Sequence, residues 1–424
     1  MDKRTRTKEV LFLAHRLPWP PNKGDKIRSY HILQHLARHH RVHLGTFVDD
    51  PQDWQYLRQV QECCVDVCAR PLPRRWAQLR ALTGLVTGEP LTLPWYRDRA
   101  LGRWVREVCR TRPLAAVVAF SSSMGQYLPE GDDSPVRVVD FVDIDSDKWR
   151  QYAQRRRWPM AAVFGREARQ LLRYERQLAA ASDASVFVSP AEAEAFRGLA
   201  SEAAASVVSM GNGVDTAYFD PDAVGPTPYP EQHRPLVLTG AMDYWPNVDA
   251  ARWFATQVLP RVRAREPAAH FYIVGNRPTP AVAALEAQAG VTVTGFVEDV
   301  RPWIRHAAVA VAPLRVARGI QNKVLEAMAL ARPVIASPEA MEGLQVDLET
   351  EVACVAADPG AMADAVCRQL VSGDRGMGAA ARQRIVQDYT WQRQLGRLDQ
   401  LLGGGRPSGD GVGDAQVVQV EHGR

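Results

Sequence analysis

The chain has 424 residues and a formal net charge of +4, with 46% hydrophobic and 24% charged residues. That length accommodates two or three domains, each with its own core, and nothing in the charge balance calls for a nucleic-acid partner. The six cysteines, Cys63, Cys64, Cys68, Cys109, Cys354 and Cys367, lack the paired Cys-x-x-Cys halves or nearby histidines of a zinc site, so they read as reduced, buried thiols of a cytosolic protein.

In chain order, the basic residues 3–8 precede an apolar run at 10–14 that is too short for a signal segment and reads as a first core strand. Further strand-length apolar runs fall at 42–47, 115–120, 136–142, 184–188 and 206–209, and then at 236–239, 271–274, 291–294, 309–312, 333–336 and 351–356. Helical patterns lie between them, among others at 26–39, 248–265, 280–288 and 362–372. Near-continuous apolar strands alternating with helices imply buried parallel sheets. Five prolines between Pro221 and Pro235 suggest an interdomain linker. The expected organisation is therefore an α/β protein. Its parts are a first Rossmann-like domain over 1–220, a linker over 221–235, a second Rossmann-like domain over 236–388, an amphipathic helix over 389–402 and a Gly-rich disordered tail over 403–424. Ligands of open α/β sheets sit beyond the carboxyl ends of the strands, at the topological switch point.

Several strand-to-helix loops carry chemistry. After the first strand, a loop stiffened by Pro18, Pro20 and Pro21 leads through Lys23, Gly24 and Asp25 into a helix. Gly24 permits close backbone approach, Asp25 is placed to cap the helix, and Lys23, Lys26 and Arg28 make the mouth cationic. A stiffened connector with a helix cap accounts for the same residues. The expected buried face of that helix comprises Ile27, Tyr30, Leu33 and Leu36. Ser121, Ser122 and Ser123 follow the third apolar run, without the Gly-x-Ser-x-Gly elbow of a hydrolase. Asp143 and Asp145 form an Asp-x-Asp that can chelate a hard cation, yet acids at a helix start, here expected at Ser146 or Asp147, are favourable by dipole and capping alone. We therefore expect no metal and a ligand-lining role for these two carboxylates. In the second half, Gly240 and Asp243 lie in a strand-to-helix turn, with Asn247 as the expected N-cap. Arg277 follows the next strand, and Phe296 and Val297 the one after that.

The segment Gly319-Ile320-Gln321-Asn322-Lys323-Val324-Leu325-Glu326-Ala327-Met328-Ala329, with Arg332-Pro333-Val334-Ile335 after it, reads as a turn, a helix of about ten residues and a buried strand. The N–H groups of a helix start favour a phosphate, Lys323 adds a charge, and Glu326 lies on the same face, placed to accept from a ribose cis-diol. An ordinary amphipathic helix feeding a strand fits the same pattern.

This pattern resembles the donor-site signature of GT-B glycosyltransferases, in the retaining group with a Glu, seven residues, Glu motif. Glu326 matches the second glutamate, and Arg318 stands where the first is expected. With this segment, Pro-Pro-Asn-Lys-Gly-Asp-Lys-Ile-Arg-Ser and Met-Asp-Tyr-Trp-Pro-Asn taken together, the chain resembles the sugar transferases associated with PEP-CTERM/exosortase exopolysaccharide systems. The resemblance covers most of residues 9–402. It implies two Rossmann-like domains facing each other across a cleft, with a C-terminal helix crossing back to the first. It implies a cytoplasmic enzyme, peripheral at the inner face of the cell membrane, transferring a sugar from a nucleotide diphosphate sugar to a lipid-linked glycan with retention, and needing no cofactor. Lys323, Glu326 and Arg318 would be catalytic. Gly240, Asp243, Asn247, Arg277, Phe296, Val297, Gly319, Ile320, Gln321 and Asn322 would bind the donor, and Lys23, Gly24, Asp25, Ser121, Asp143 and Asp145 would line the acceptor side. The Asn-Gly-Val-Asp turn at 212–215 would close the first domain. Basic and aromatic residues at Arg74-Arg75-Trp76 and Arg155-Arg156-Arg157-Trp158 suit either an anionic membrane surface or a solvated helix face. A non-catalytic nucleotide-sugar-binding relative and a nucleotide-sugar epimerase are the alternative readings.

Overall fold

The computed structural model describes residues 8–21, 24–131, 134–154, 156–317, 320–348 and 350–403. The expected catalytic Arg318, donor residue Gly319, loop residue Lys23 and basic Arg155 lie outside them, as does the tail from Gly404. The chain divides into two compact units, Met1–Ser209 with Arg397–Arg424, and Met210–Gly396.

Among the described residues the first unit holds seven strands: β1 Glu9–Ala14, β2 Arg41–Val48, β3 Asp66–Pro71, β4 Leu114–Phe120, β5 Val136–Val142, β6 Ala184–Phe187 and β7 Val207–Ser209. Their order is β3-β2-β1-β4-β5-β6-β7, and every pairing is parallel. Its helices include α1 (Gly24–His39), α2 (Arg74–Thr87), α3 (Asp145–Gln154) and α4 (Met160–Ala180). β3 was not expected from the sequence. Its residues are only half-buried, so Asp-Val-Cys-Ala-Arg-Pro lacks the apolar run that marks a central strand. Of the six thiols, only Cys367 is buried; the other five are half-buried, and all six are free.

The second unit holds β8 Arg234–Thr239, β9 Ala269–Val274, β10 Val291–Gly295, β11 Val309–Ala312, β12 Val334–Ala336 and β13 Ala353–Cys354. Their order is β10-β9-β8-β11-β12-β13, again parallel throughout. The helices that bear on function here are α5 (Trp245–Trp253) and α6 (Asn322–Ala329). The long helix expected over 248–265 starts earlier and is interrupted by a π turn at Phe254–Val258. The turn stands just before Pro260, which has no N–H to give to the ladder. The helix expected over 280–288 is a single α turn followed by a 3-10 turn.

The proline-rich stretch does not run free between units. Arg305 Nε donates to Pro221 O at 2.8 Å, His306 Nε2 contacts Gly225 O at 2.8 Å, and the Tyr229 hydroxyl donates to Trp303 O. These contacts fasten it to the second unit. The turn at 212–215 also opens this unit instead of closing the first. Val214 N donates to Tyr389 O at 2.8 Å and pairs with Thr390 as an isolated bridge. The last helix, α7 (Trp391–Leu402), passes from one unit to the other, and its Asp399 meets His35 of α1 at 2.9 Å within the first unit. Among the described residues, no helix is long and apolar enough to cross a membrane.

Both sheets reverse direction of growth between their first and fourth strands. That places the switch points beyond the carboxyl ends of β1 and β4 in one unit, and of β8 and β11 in the other.

Candidate active site

At the switch point of the second unit, three strands end in glycine-containing turns that are stitched to one another. Gly240 N donates to Val274 O at 3.1 Å, and Gly275 N donates to Gly295 O at 3.2 Å. A Cβ on Gly275 would lie 1.7 Å from the Gly240 carbonyl oxygen, so only glycine lets these backbones meet. The result is a floor of bare main chain beyond β8, β9 and β10.

α6 stands at the edge of this floor. It begins at Asn322, and the side chain of Gln321 makes no capping hydrogen bond to it. Lys323 Nζ donates to Asn247 Oδ1 at 2.8 Å, and Asn247 Nδ2 donates in turn to Ala241 O at 2.9 Å. A Cβ on Gly240 would come within 2.7 Å of Asn247 Nδ2 and 3.5 Å of Lys323 Cε. The ammonium is therefore anchored beside the main chain of the β8 turn. Asn247 is not the N-cap expected from the sequence. α5 begins two residues earlier at Trp245, which leaves the buried amide of Asn247 free to orient Lys323.

Burial pushes the Lys323 ammonium down to about 8, against the pull of Glu326. Burial pushes the Glu326 carboxyl up to about 7, against the pull of Lys323. Each group holds the other partly charged in a desolvated position one helical turn apart. Such a pair is poised to exchange its mutual attraction for a ligand that offers an anion to Lys323 and hydroxyl donors to Glu326.

The other expected donor residues surround this centre unevenly. Asn322 Oδ1 accepts from Asn212 Nδ2 at 3.2 Å. The half-buried Ile320 packs against the core of the second unit. Arg277, at φ 53°, pairs with Asp243 at 3.4 Å, both largely exposed, so its charge is partly matched. Phe296 is 76% exposed after Gly295, which turns the chain at φ 68°. Val297 is half-buried against the core.

In the first unit the strand ends carry a polar cluster. Asp25 lies in the first turn of α1, one residue after its start, and its Oδ1 accepts from Lys26 N at 3.0 Å. Its Oδ2 accepts from Arg16 Nη1 at 2.7 Å and meets His15 Nε2 at 3.3 Å. Burial alone would raise the Asp25 pKa, but the His15 contact and the Arg16 charge outweigh it and hold the carboxyl far below its usual range. Gly24 is exposed, with nothing within 4 Å of where a Cβ would stand.

The expected cationic mouth is absent at two of its three residues. Lys26 and Arg28 are both 1% exposed. Lys26 pairs with Asp53, and Arg28 Nε donates to Asp140 Oδ2 at 2.8 Å. Charged residues pass for a solvent face in sequence unless their distant partners are known, and both partners here come from other elements. Within α1 the buried side chains include Ile32, Leu33 and Leu36, while Ile27 and Tyr30 are only half-buried.

Asp143 and Asp145 flank a lysine that the sequence pattern did not single out. Lys148 Nζ lies 2.9 Å from Asp143 Oδ2 and 3.2 Å from Asp145 Oδ1. Burial opposes its charge, but the two carboxylates outweigh that and hold it firmly protonated. The lysine occupies the position between the two acids. α3 starts at Asp145 itself. Ser122 Oγ donates to Asp145 Oδ2 at 3.3 Å, and the Ser121 and Ser123 hydroxyls are 3.1 Å apart. Ser121 at φ 77° and Val142 at φ 69° sit in backbone conformations that are strained for these residue types, at the ends of two adjacent strands.

Sequence reasoning missed Lys148, the His15–Arg16 pair and Glu175, and read Asn212 only as part of a turn. Lys148 had a signal, its i,i+3 spacing from Asp145 on a helix. Glu175 had none: it is a helix residue in sequence, but its Oε1 accepts from Ser146 N at 3.1 Å inside the unit.

Two parallel-sheet α/β domains with these windings define the GT-B fold. Residues 233–372 match the family model described as Glycosyl transferases group 1, a span that takes in every strand of the second unit. Solved structures of similar fold include the sucrose-phosphate synthase of Thermosynechococcus elongatus, at 17% identity and TM-score 0.65, covering 93% of this chain and 98% of that one. Anabaena HepE in complex with UDP-glucose is 14% identical at TM-score 0.62, covering 93% and 99%. WaaG, a glycosyltransferase involved in lipopolysaccharide biosynthesis, is 15% identical at TM-score 0.61, covering 93% and 100%. None of the curated proteins matches the sequence.

Proposed function

We propose that the protein is a glycosyltransferase that takes a sugar from a nucleotide diphosphate sugar. The observation that carries this reading is the Lys323–Asn247 contact beside the Gly240 main chain, with Glu326 one turn further along α6. The leaving group of such a donor is a nucleoside diphosphate, whose developing charge needs cations and N–H donors. The start of α6 and Lys323 supply both, and no metal ion is required for that task. Glu326 accepts from the ribose diol. Phe296, exposed beyond β10, offers a ring to the base. The match of this unit to the family model and the UDP-glucose bound to HepE, a protein of similar fold, support the choice of donor class.

The transfer proceeds with retention. The acceptor hydroxyl attacks on the face the diphosphate leaves, so no protein nucleophile is needed. The acceptor is a lipid-linked glycan of an exopolysaccharide system of the PEP-CTERM/exosortase kind, met in the cytoplasm at the inner face of the cell membrane. Asp25, Ser121, Asp143 and Asp145 of the first unit hydrogen-bond its hydroxyls. These finer assignments rest on the sequence resemblance.

The test is to incubate the protein with UDP- and GDP-sugars and an extract of lipid-linked acceptors, and to look for a glycosylated lipid. Transfer from one donor is expected. Binding without transfer, across every donor and acceptor offered, would overturn the enzymatic reading in favour of a nucleotide-sugar-binding protein.

A further inference from the structure

α2 turns an apolar crest outward. On a helix of 100° per residue, Arg75, Leu79, Leu82 and Val86 share one stripe, opposite the buried Ala77, Ala81 and Gly84. Leu79 is 57% exposed, Leu82 55%, Val86 91% and the flanking Trp76 66%. Single exposed apolar residues are ordinary, but a continuous helical stripe of them is not.

The helix is also firmly held. Arg166 of α4 donates to Gly84 O at 2.6 Å and to Glu89 O at 3.2 Å, which clasps its C-terminal end. The Glu167 carboxylate accepts from Leu91 N and Thr92 N at 2.6 and 3.0 Å, and so fixes the turn that follows. The crest is thus a presented surface of a docked helix.

Charge selects the occupant. α2 contains no carboxylate and presents the exposed Arg74 and Arg75, whereas Arg80 is half-buried and donates to Trp95 O at 3.0 Å. Glu89, just beyond its end, is engaged by both terminal nitrogens of Arg97 at 3.1 Å. A second copy of the chain laid on this face would bring arginines against a helix with no acid to receive them. A bilayer surface with anionic headgroups receives them, with Trp76 at the headgroup level and the leucines below it. A second exposed basic and aromatic cluster precedes α4. Trp158 is 83% exposed and Met160 45% exposed, beside the exposed Arg156 and Arg157. Met160 opens α4 six residues, about 9 Å, before the Arg166 that clasps α2.

We propose that the crest of α2, with the Trp158 turn as its flank, docks the first unit on an anionic lipid surface. The inference does not depend on sugar transfer. The experiment is co-sedimentation of the full chain with vesicles of phosphatidylcholine alone or mixed with phosphatidylglycerol, at low and high salt. The expected result is binding to the mixed vesicles that weakens with salt. Leu79→Glu with Leu82→Glu should lower it by at least about tenfold, while nucleotide binding by the same variant stays unchanged. Arg74→Glu with Arg75→Glu should lower it as well and reduce the salt dependence. Because these side chains are exposed, circular dichroism of each variant should match the parent. No binding of the parent to mixed vesicles would overturn the proposal, as would undiminished binding of the Leu79/Leu82 variant. So would a change confined to oligomeric state, which would make the face a contact between copies.

Discussion

Lys323 and Glu326 are shifted toward each other, to about 8 and about 7, by the same desolvation. Below about 7 Glu326 gains a proton and loses its strength as an acceptor; above about 8 Lys323 loses the charge that holds an anion. Nucleotide affinity should therefore be bell-shaped in pH, with limbs that belong to the pair and not to either residue alone. Glu326→Gln should remove the acid limb, as read by calorimetric titration across pH; an acid limb that persists would show that another group controls it. Glu175 makes a stability prediction in the first unit. Burial and the Asp145 charge, opposed by the Ser146 hydrogen bonds, push its carboxyl up to about 8. The folded state keeps a proton that the unfolded chain releases near the ordinary glutamate value. Stability from this group is thus full below that value and is lost as pH rises toward about 8. Glu175→Gln should flatten the fall in Tm over that window. An unchanged slope in thermal melts across pH would contradict this.

At the scale of elements, the site is made where strands stop. β8, β9 and β10 end in glycine-containing turns whose backbones touch, and Gly275→Ala would drive a methyl into the Gly240 carbonyl at 1.7 Å. We expect that substitution to destabilise the second unit by about 3 kcal/mol or more, lowering the denaturation midpoint; a change under about 1 kcal/mol would show that the three turns are not a rigid floor. The strands themselves were legible because buried parallel strands are near-continuous apolar runs. β3 was not, because a half-buried edge strand carries polar residues in the same positions as a loop. α6 was legible from its motif, although it begins at Asn322 and runs for eight residues. Its long-range partner Asn247 was placed correctly in the chain but given the wrong task, since a cap and a side-chain clamp look alike in sequence. Lys26 and Arg28 show the converse limit. Their partners Asp53 and Asp140 are 27 and 112 residues away, and nothing local distinguishes a buried ion pair from a solvated charge.

At the scale of the whole molecule, one winding is used twice, and each unit sets its polar groups beyond the carboxyl ends of its central strands. At its strand ends the first unit pairs its charges with one another, Asp25 with Arg16 and His15, and Lys148 with Asp143 and Asp145. The second unit keeps a desolvated cation and carboxylate beside bare main chain, which is why the nucleotide is assigned there. The most direct test of that assignment is calorimetric titration of the intact protein with UDP and with GDP, in parallel with Lys323→Ala and Glu326→Ala. One nucleotide should bind the parent, and each substitution should weaken it by about ten- to a hundredfold, the scale of a lost charge-assisted hydrogen bond, with melting curves still cooperative. Unchanged affinity in both variants would contradict the account and move the nucleotide away from α6.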